Sequence, residues 1–151
     1  MGTMAGEPGH RQADLAPRVM RRLHHVGYVV ESIERSADGF ALALASTWDR
    51  RVVHDPVQAV RVSFLEPGAG QPSVELVEPA AADSPVSAFL RRGGGLHHLC
   101  YEVGSLEAEI ERSRSARAVL VRPPQPAVAF EGRRICWVFT PQRLLIEYLE
   151  R

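Results

Sequence analysis

Apolar and polar positions alternate through LHHVGYVV (residues 23 to 30), the pattern of a half-buried strand. The period then changes: after Ser32, residues Ile33, Phe40, Ala41 and Leu44 recur at roughly helical spacing. Ser32 suits the N-cap, because its hydroxyl can accept a free N–H of the first turn. Three strand-like runs follow, near 47 to 53, 60 to 66 and 73 to 78. ADSPVSAFLRRGGG then predicts a short helix over 84 to 92, with Asp83 or Ser84 as cap, Pro85 at the first helical position and Gly93 as the stop. The second half predicts a strand at 96 to 103, a helix at 106 to 116 capped by Ser105, and strands near 118 to 122, 132 to 139 and 143 to 149. Pro123, Pro124 and Pro126 mark a loop between the first two of these.

The order of elements is βαβββ twice, and the residues themselves repeat. At an offset of 73, Leu23, His24, His25, Tyr28, Val30, Ser32 and Glu34 recur as Leu96, His97, His98, Tyr101, Val103, Ser105 and Glu107. A unit of that length is too long for a solenoid repeat and suits a duplicated small fold. The expected organisation is a leader over residues 1 to 21, then one α+β domain over 22 to 151. Its two modules cover about 22 to 80 and 95 to 151, joined by the helix at 84 to 92.

Strand alternation sorts the histidine doublets. His25, Gly27 and Val29 share one face and His24, Val26 and Tyr28 the other, so each doublet is expected to send one imidazole to the concave side and the other against the helices. His98 and His97 divide in the same way, and His24 and His97 are read as packing residues. Glu147, in LLIEYLE, shares its face with Leu145 and Leu149, and a carboxylate in an apolar row must be paired, bound to a metal or neutralised. Glu75, in SVELVEP, is its counterpart: it stands 50 residues after His25, as Glu147 stands 49 after His98. Two imidazoles and two carboxylates brought together by pseudo-symmetry suit a divalent ion such as Co, Zn, Ni, Mn or Fe(II).

Composition mostly removes alternatives. Eighteen arginines, with no lysine, balance eighteen acidic residues, and a formal charge of zero gives no field for nucleic acid or an anionic membrane. Cys100 and Cys136, both in apolar runs, make no disulfide framework and fit a reducing cytoplasm. The Gly-, Pro- and Ala-rich first twenty residues lack the apolar run of a signal peptide or span.

LHHVGYVV, VQAVRVSFL, VELVEPAAADSPVSAFL, GGGLHHLCYEV and LLIEYLE together resemble the vicinal oxygen chelate superfamily, which holds glyoxalase I, fosfomycin- and bleomycin-resistance proteins and extradiol dioxygenases. The likeness is greatest to its methylmalonyl-CoA epimerase branch. The resemblance implies paired βαβββ modules forming a cupped, eight-stranded mixed sheet around a metal held by His25, Glu75, His98 and Glu147. It also implies a homodimer and a small-molecule substrate, with an acyl thioester as the first candidate. The implied chemistry is isomerisation or epimerisation through an enolate next to a carbonyl. A glyoxalase I-type lyase and a non-enzymatic antibiotic-binding protein are the alternatives.

Two departures from the branch qualify that reading. Some bacterial epimerases have a glutamate, suggested as a base, two residues after the valine of EQGV; here the segment is VQAVRV and Val62 takes the place. The proton carrier is then sought among Glu147 and His54, with Gln58, which matches the family glutamine, positioning substrate or water. The HPK-containing turn before the last strand is replaced by VFTPQRLLIEYL, leaving Arg133, Arg134 and Arg143 as the arginines placed to meet a phosphate or carboxylate.

Overall fold

A computed structural model describes residues 20–151. The expected leader over 1 to 21 thus lies outside the described residues except for its last two, and Arg21 is docked, its guanidinium donating to Glu109 at 2.7 and 3.0 Å. Strand β1 is Arg22–Val29, followed by helix α1, Ile33–Ala43. Next come β2 (Thr47–Trp48), β3 (Val53–Asp55), β4 (Val60–Glu66) and β5 (Ser73–Pro79). Helix α2 (Ser87–Arg91) leads to β6 (Gly95–Val103) and α3 (Leu106–Ser115). The chain closes with β7 (Val119–Pro126), β8 (Arg134–Phe139) and β9 (Leu145–Glu150).

All the strands form one mixed sheet in the order β2-β4-β5-β1-β6-β9-β8-β7, with β3 also on β4. The antiparallel β1/β6 pair lies at the centre. On either side β1 pairs parallel with β5 and β6 parallel with β9, so the order reads as one arrangement written twice. The fold is α+β, as the pattern predicts, and the duplication extends to detail. Ser32 and Ser105 both cap their helices, accepting from Arg35 N at 3.4 Å and Ala108 N at 3.2 Å. Arg61 ties Glu34 to Glu78, and Arg134 ties Glu107 to Glu150.

Each helix covers its own half. Ile33 and Ala37 of α1 pack with Val30, Leu65 and Leu76, while Leu106 and Ile110 of α3 pack with Val103, Cys136, Val138 and Tyr148. Every such fully buried Leu or Ile contributes about 1.5–3 kcal/mol relative to exposure. Those helices leave the opposite face of the sheet to form the cup.

Three expectations are corrected. The run at 47 to 53 is two short strands, so the sheet has nine strands instead of eight. It breaks where Arg50 adopts φ 65° and Asp49 accepts from Arg51 N at 2.8 Å. Neither Asp83 nor Ser84 caps α2, whose N-cap is Val86 without a side-chain bond; Ser84 N and O are used in preceding turns. The prolines at 123, 124 and 126 lie inside β7, an edge strand, where a missing N–H costs no ladder bond on its open side.

Candidate metal centre

Two cross-strand rows build the floor of the cup, each taking its histidine from one half and its glutamate from the other. In the first, His98 opposes Gly27, Gly27 opposes Glu75 and Glu75 opposes Phe64. In the second, His25 opposes Cys100, Cys100 opposes Glu147 and Glu147 opposes Trp137. Residues opposite one another across a ladder project to the same face, so the register carries the four expected donors to one place. His25 Nε2 lies 3.2 Å from His98 Nε2, 3.5 Å from Glu75 Oε2 and 3.2 Å from Glu147 Oε2. His98 Nε2 lies 3.3 Å from Glu75 Oε2 and 3.8 Å from Glu147 Oε2. All four residues are buried, at 0–6 % exposure.

The spacing fits a common ion. Donors held at about 2.0–2.2 Å from a Zn-like centre stand roughly 3 Å or slightly more from one another. His25, Glu75 and His98 form a compact triple with ligand atoms within 4.8 Å of one another, and Glu147 joins it through both imidazoles. Without an ion the cluster satisfies itself electrostatically. Burial disfavours a charge on His25, but the Glu75 and Glu147 carboxylates outweigh it and raise its pKa to about 10. Burial likewise opposes ionisation of Glu75, yet the adjacent His25 holds its carboxyl well below the usual range. His25, His24 and Cys100 also lie close together, and burial, then the Glu147 carboxylate, pushes the Cys100 thiol up.

Gly27 makes the first row possible. The His98 ring lies directly over it, and a Cβ there would meet His98 Cε1 at 1.9 Å. In the second row Cys100, the counterpart of Gly27, is fully buried beneath the cup.

His24 and His97 pack against aromatic rings, but not on the face covered by α1 and α3: His97 lines the cavity and meets Phe89 of α2, and His24 meets Phe130. The β1/β6 ladder slips between Leu23 and His25, and again at the step that passes from Leu96 to His98. A bulge sets two consecutive residues against one, which breaks strict alternation. His24 Nδ1 therefore meets His25 Nδ1 at 2.9 Å, and His97 Nδ1 meets His98 Nδ1 at 3.0 Å. Each outer imidazole is held by an aromatic edge: Phe130 for His24 at 5.5 Å, Phe89 for His97 at 4.9 Å. Burial, then the neighbouring His98, lowers the His97 pKa to about 4 and keeps it neutral, able to accept the Nδ1 proton of a ligating His98.

A cavity of about 210 Å³ opens above the donors, floored by Glu75, His98 and Glu147 and walled by apolar residues including Val60, Val62, Val77 and Phe130. Gln58 lines it, as expected. His54 does not: it is exposed on β3 opposite Arg61, and its face of the strand points away from the cup. Its neighbour Asp55, 1 % exposed, lines the cavity instead. Asp55 accepts from Val57 N at 2.9 Å and Gln58 N at 3.0 Å through Oδ1, and from Val128 N at 3.3 Å through Oδ2. The DPVQ turn signal was present in the sequence, but the bond to Val128 in the other half was not readable there. Arg133 and Arg134 are committed to Glu102 (2.6 Å) and Glu150 (2.7 Å), and Arg143 sits exposed in a turn at φ 66°. None of the three lines the cavity; Arg122 does.

The sequence model of the Glyoxalase/Bleomycin resistance protein/Dioxygenase superfamily matches residues 24–137. An uncharacterized protein of Bacillus subtilis, YqjC, is 34% identical over 122 residues, covering 79% of this chain and 83% of its own. An ethylmalonyl-CoA/methylmalonyl-CoA epimerase of Cereibacter sphaeroides is 28% identical over 119 residues, 78% of this chain and 87% of its own. Among solved structures, the methylmalonyl-CoA epimerase of Mycobacterium tuberculosis superposes with a TM-score of 0.75 at 26% identity, covering 93% of this chain and 95% of that one. Among the described residues no helix is long and apolar enough to cross a membrane.

Proposed function

The chain belongs to the Glyoxalase/Bleomycin resistance protein/Dioxygenase superfamily, and from that premise we propose that it is a metal-dependent isomerase or epimerase acting on a carbon next to a carbonyl. The observation that carries the reading is the four-donor cup, His25, Glu75, His98 and Glu147, set at coordination spacing and open to a cavity on one side. These residues would hold a divalent ion, which when bound supplies the positive charge that stabilises an enolate oxygen. Similarity to epimerases whose names specify acyl-CoA substrates makes an acyl thioester the first candidate.

The chain's own residues then divide the work. The apolar walls, with Val62 where some relatives have a carboxylate, exclude water and strengthen every charge inside. Because Val62 cannot take a proton, the carrier is assigned to Glu147, which borders the cavity, lies outside the compact His25–Glu75–His98 triple and would leave the ion to those three while it takes the proton. Gln58, fixed by Asp55 through its backbone N–H, orients the carbonyl or a water. The acyl part would occupy the cavity and a carrier arm would run outward from it.

The test is deuterium exchange. Metal-loaded protein in deuterated water is expected to label methylmalonyl or propionyl thioesters at the carbon beside the carbonyl, with the label lost on chelation and in Glu147→Gln. Failure of the protein to retain a divalent ion after loading, together with no exchange on these thioesters, would overturn the proposal.

A further inference from the structure

We infer that Arg122 is an oxyanion-recognition residue, and that the ligand of this cavity carries a carboxylate or phosphate group a few bonds from the oxygens facing the cup. This rests on the reading that the cup holds an ion. The ladder between β7 and β8 places Arg122. Leu120 opposes Val138, which belongs to the core under α3, and unbroken alternation would return position 122 to that same helix face. The register slips between Leu120 and Arg122 instead, so Arg122 opposes Trp137. Trp137 meets the His98 ring at 4.7 Å and opposes Glu147 on β9. The bulge therefore places Arg122 in the row that ends in the cup, and both Val121 and Arg122 line the cavity.

Among the arginines without an ion pair, Arg122 is the one that lines the cavity, whereas several others of the chain are committed to carboxylates. Arg61, Arg112, Arg133 and Arg134 each hold a glutamate, at 2.6 to 2.8 Å in the Arg112, Arg133 and Arg134 pairs. Among the described residues Arg122 makes no ion pair and no side-chain hydrogen bond, although it is half-buried. A guanidinium offers a planar fork matched to a carboxylate or phosphate, and such bonds are about twice as strong as neutral ones. The carboxylates of the cavity do not supply that partner: Glu75 and Glu147 face the imidazoles, and Asp55 is engaged by backbone N–H groups. Arg122 and Glu147 are two strands apart, roughly 10 Å between backbones, which limits the ligand to a short span between its two polar ends.

The experiment uses Co(II)-loaded protein and reads its visible spectrum and binding isotherms. The probes are acetohydroxamate, a neutral chelator; succinate and phosphoglycolate, which carry a second anionic end; and monomethyl succinate, which lacks it. Arg122→Gln is expected to weaken succinate or phosphoglycolate ten- to a hundredfold while leaving acetohydroxamate and monomethyl succinate unchanged, and Arg122→Lys to restore part of the loss. Whichever dianion loses more identifies the group recognised. If acetohydroxamate binds both proteins equally and each dianion is also held equally by both, the Arg122 inference is overturned while the metal reading stands. If acetohydroxamate fails to bind the loaded wild-type protein, the metal reading falls and this inference with it.

Discussion

Replacing Gly27 by alanine adds one methyl group at the point where the two halves of the cup meet. The new Cβ would stand 1.9 Å from His98 Cε1, 2.2 Å from Nδ1 and 2.5 Å from Nε2. To reach ordinary contact at 3.4 Å the ring has to withdraw by about 1.5 Å. A ligand constellation tolerates only about 0.5 Å of displacement, so His98 is lost as a donor. The backbone has no objection, because Gly27 is not among the glycines at positive φ and alanine is acceptable in a strand. Overpacking of this kind costs about 1–3 kcal/mol, which leaves the protein folded. The expected result is a cooperative melt at a somewhat lower temperature together with a fall in metal affinity exceeding the ~10–100-fold typical of an outer-shell change. Metal content after dialysis, Co(II) titration and circular dichroism would measure it. Gly39→Ala, where an added Cβ meets nothing within 4 Å, is the control and should leave the metal untouched. Wild-type metal affinity in Gly27→Ala would refute the placement of His98 over Gly27 and with it the geometry of the cup.

Two further expectations follow from the same cluster. His97→Phe, which keeps a ring but loses the acceptor 3.0 Å from His98 Nδ1, should weaken metal binding ~10–100-fold, and His97→Asn, which keeps an acceptor near that position, should recover most of it; equal losses in both variants would reduce His97 to packing. In the metal-free protein the His25 pKa is raised from 6.5 to about 10, so its stabilising charge is fully present below pH 6.5 and is lost as pH rises through about 10. Glu75, depressed, contributes above its ordinary value and loses that contribution only as pH falls through its lower folded value. Melting temperature in the presence of chelator should therefore fall between pH 7 and 10, and metal uptake in that window should release a proton from His25. A flat or rising profile there would contradict the ion-paired cluster.

Much of the site is legible in the chain because a duplication prints the same local pattern twice. Alternation has a period of two residues and helix capping spans three or four, so LHHVGYVV and its copy identify strand, cap and helix without knowledge of their neighbours. Matched spacing from His25 to Glu75 and from His98 to Glu147 then picks out four candidate ligands that no single half would distinguish. The structure brings those four together. The chain's pattern does not decide between His54 and Asp55, because a three-residue strand gives too little alternation to show that Asp55 faces the cavity and His54 the solvent.

What the sequence by itself determined is whatever depends on local period and on repetition: two βαβββ modules, the helices α1 and α3 with their serine caps, and the four residues, His25, Glu75, His98 and Glu147, that the fold brings together. Only the tertiary structure decided the bulges, the split of the second strand, the strand that runs through three prolines, and the faces of His24, His97 and Arg122. The physical reason is that a bulge belongs to a pair of strands. Whether one residue or two stand opposite a partner depends on hydrogen bonds to a strand up to eighty residues away, and a single slip turns every following side chain to the other face.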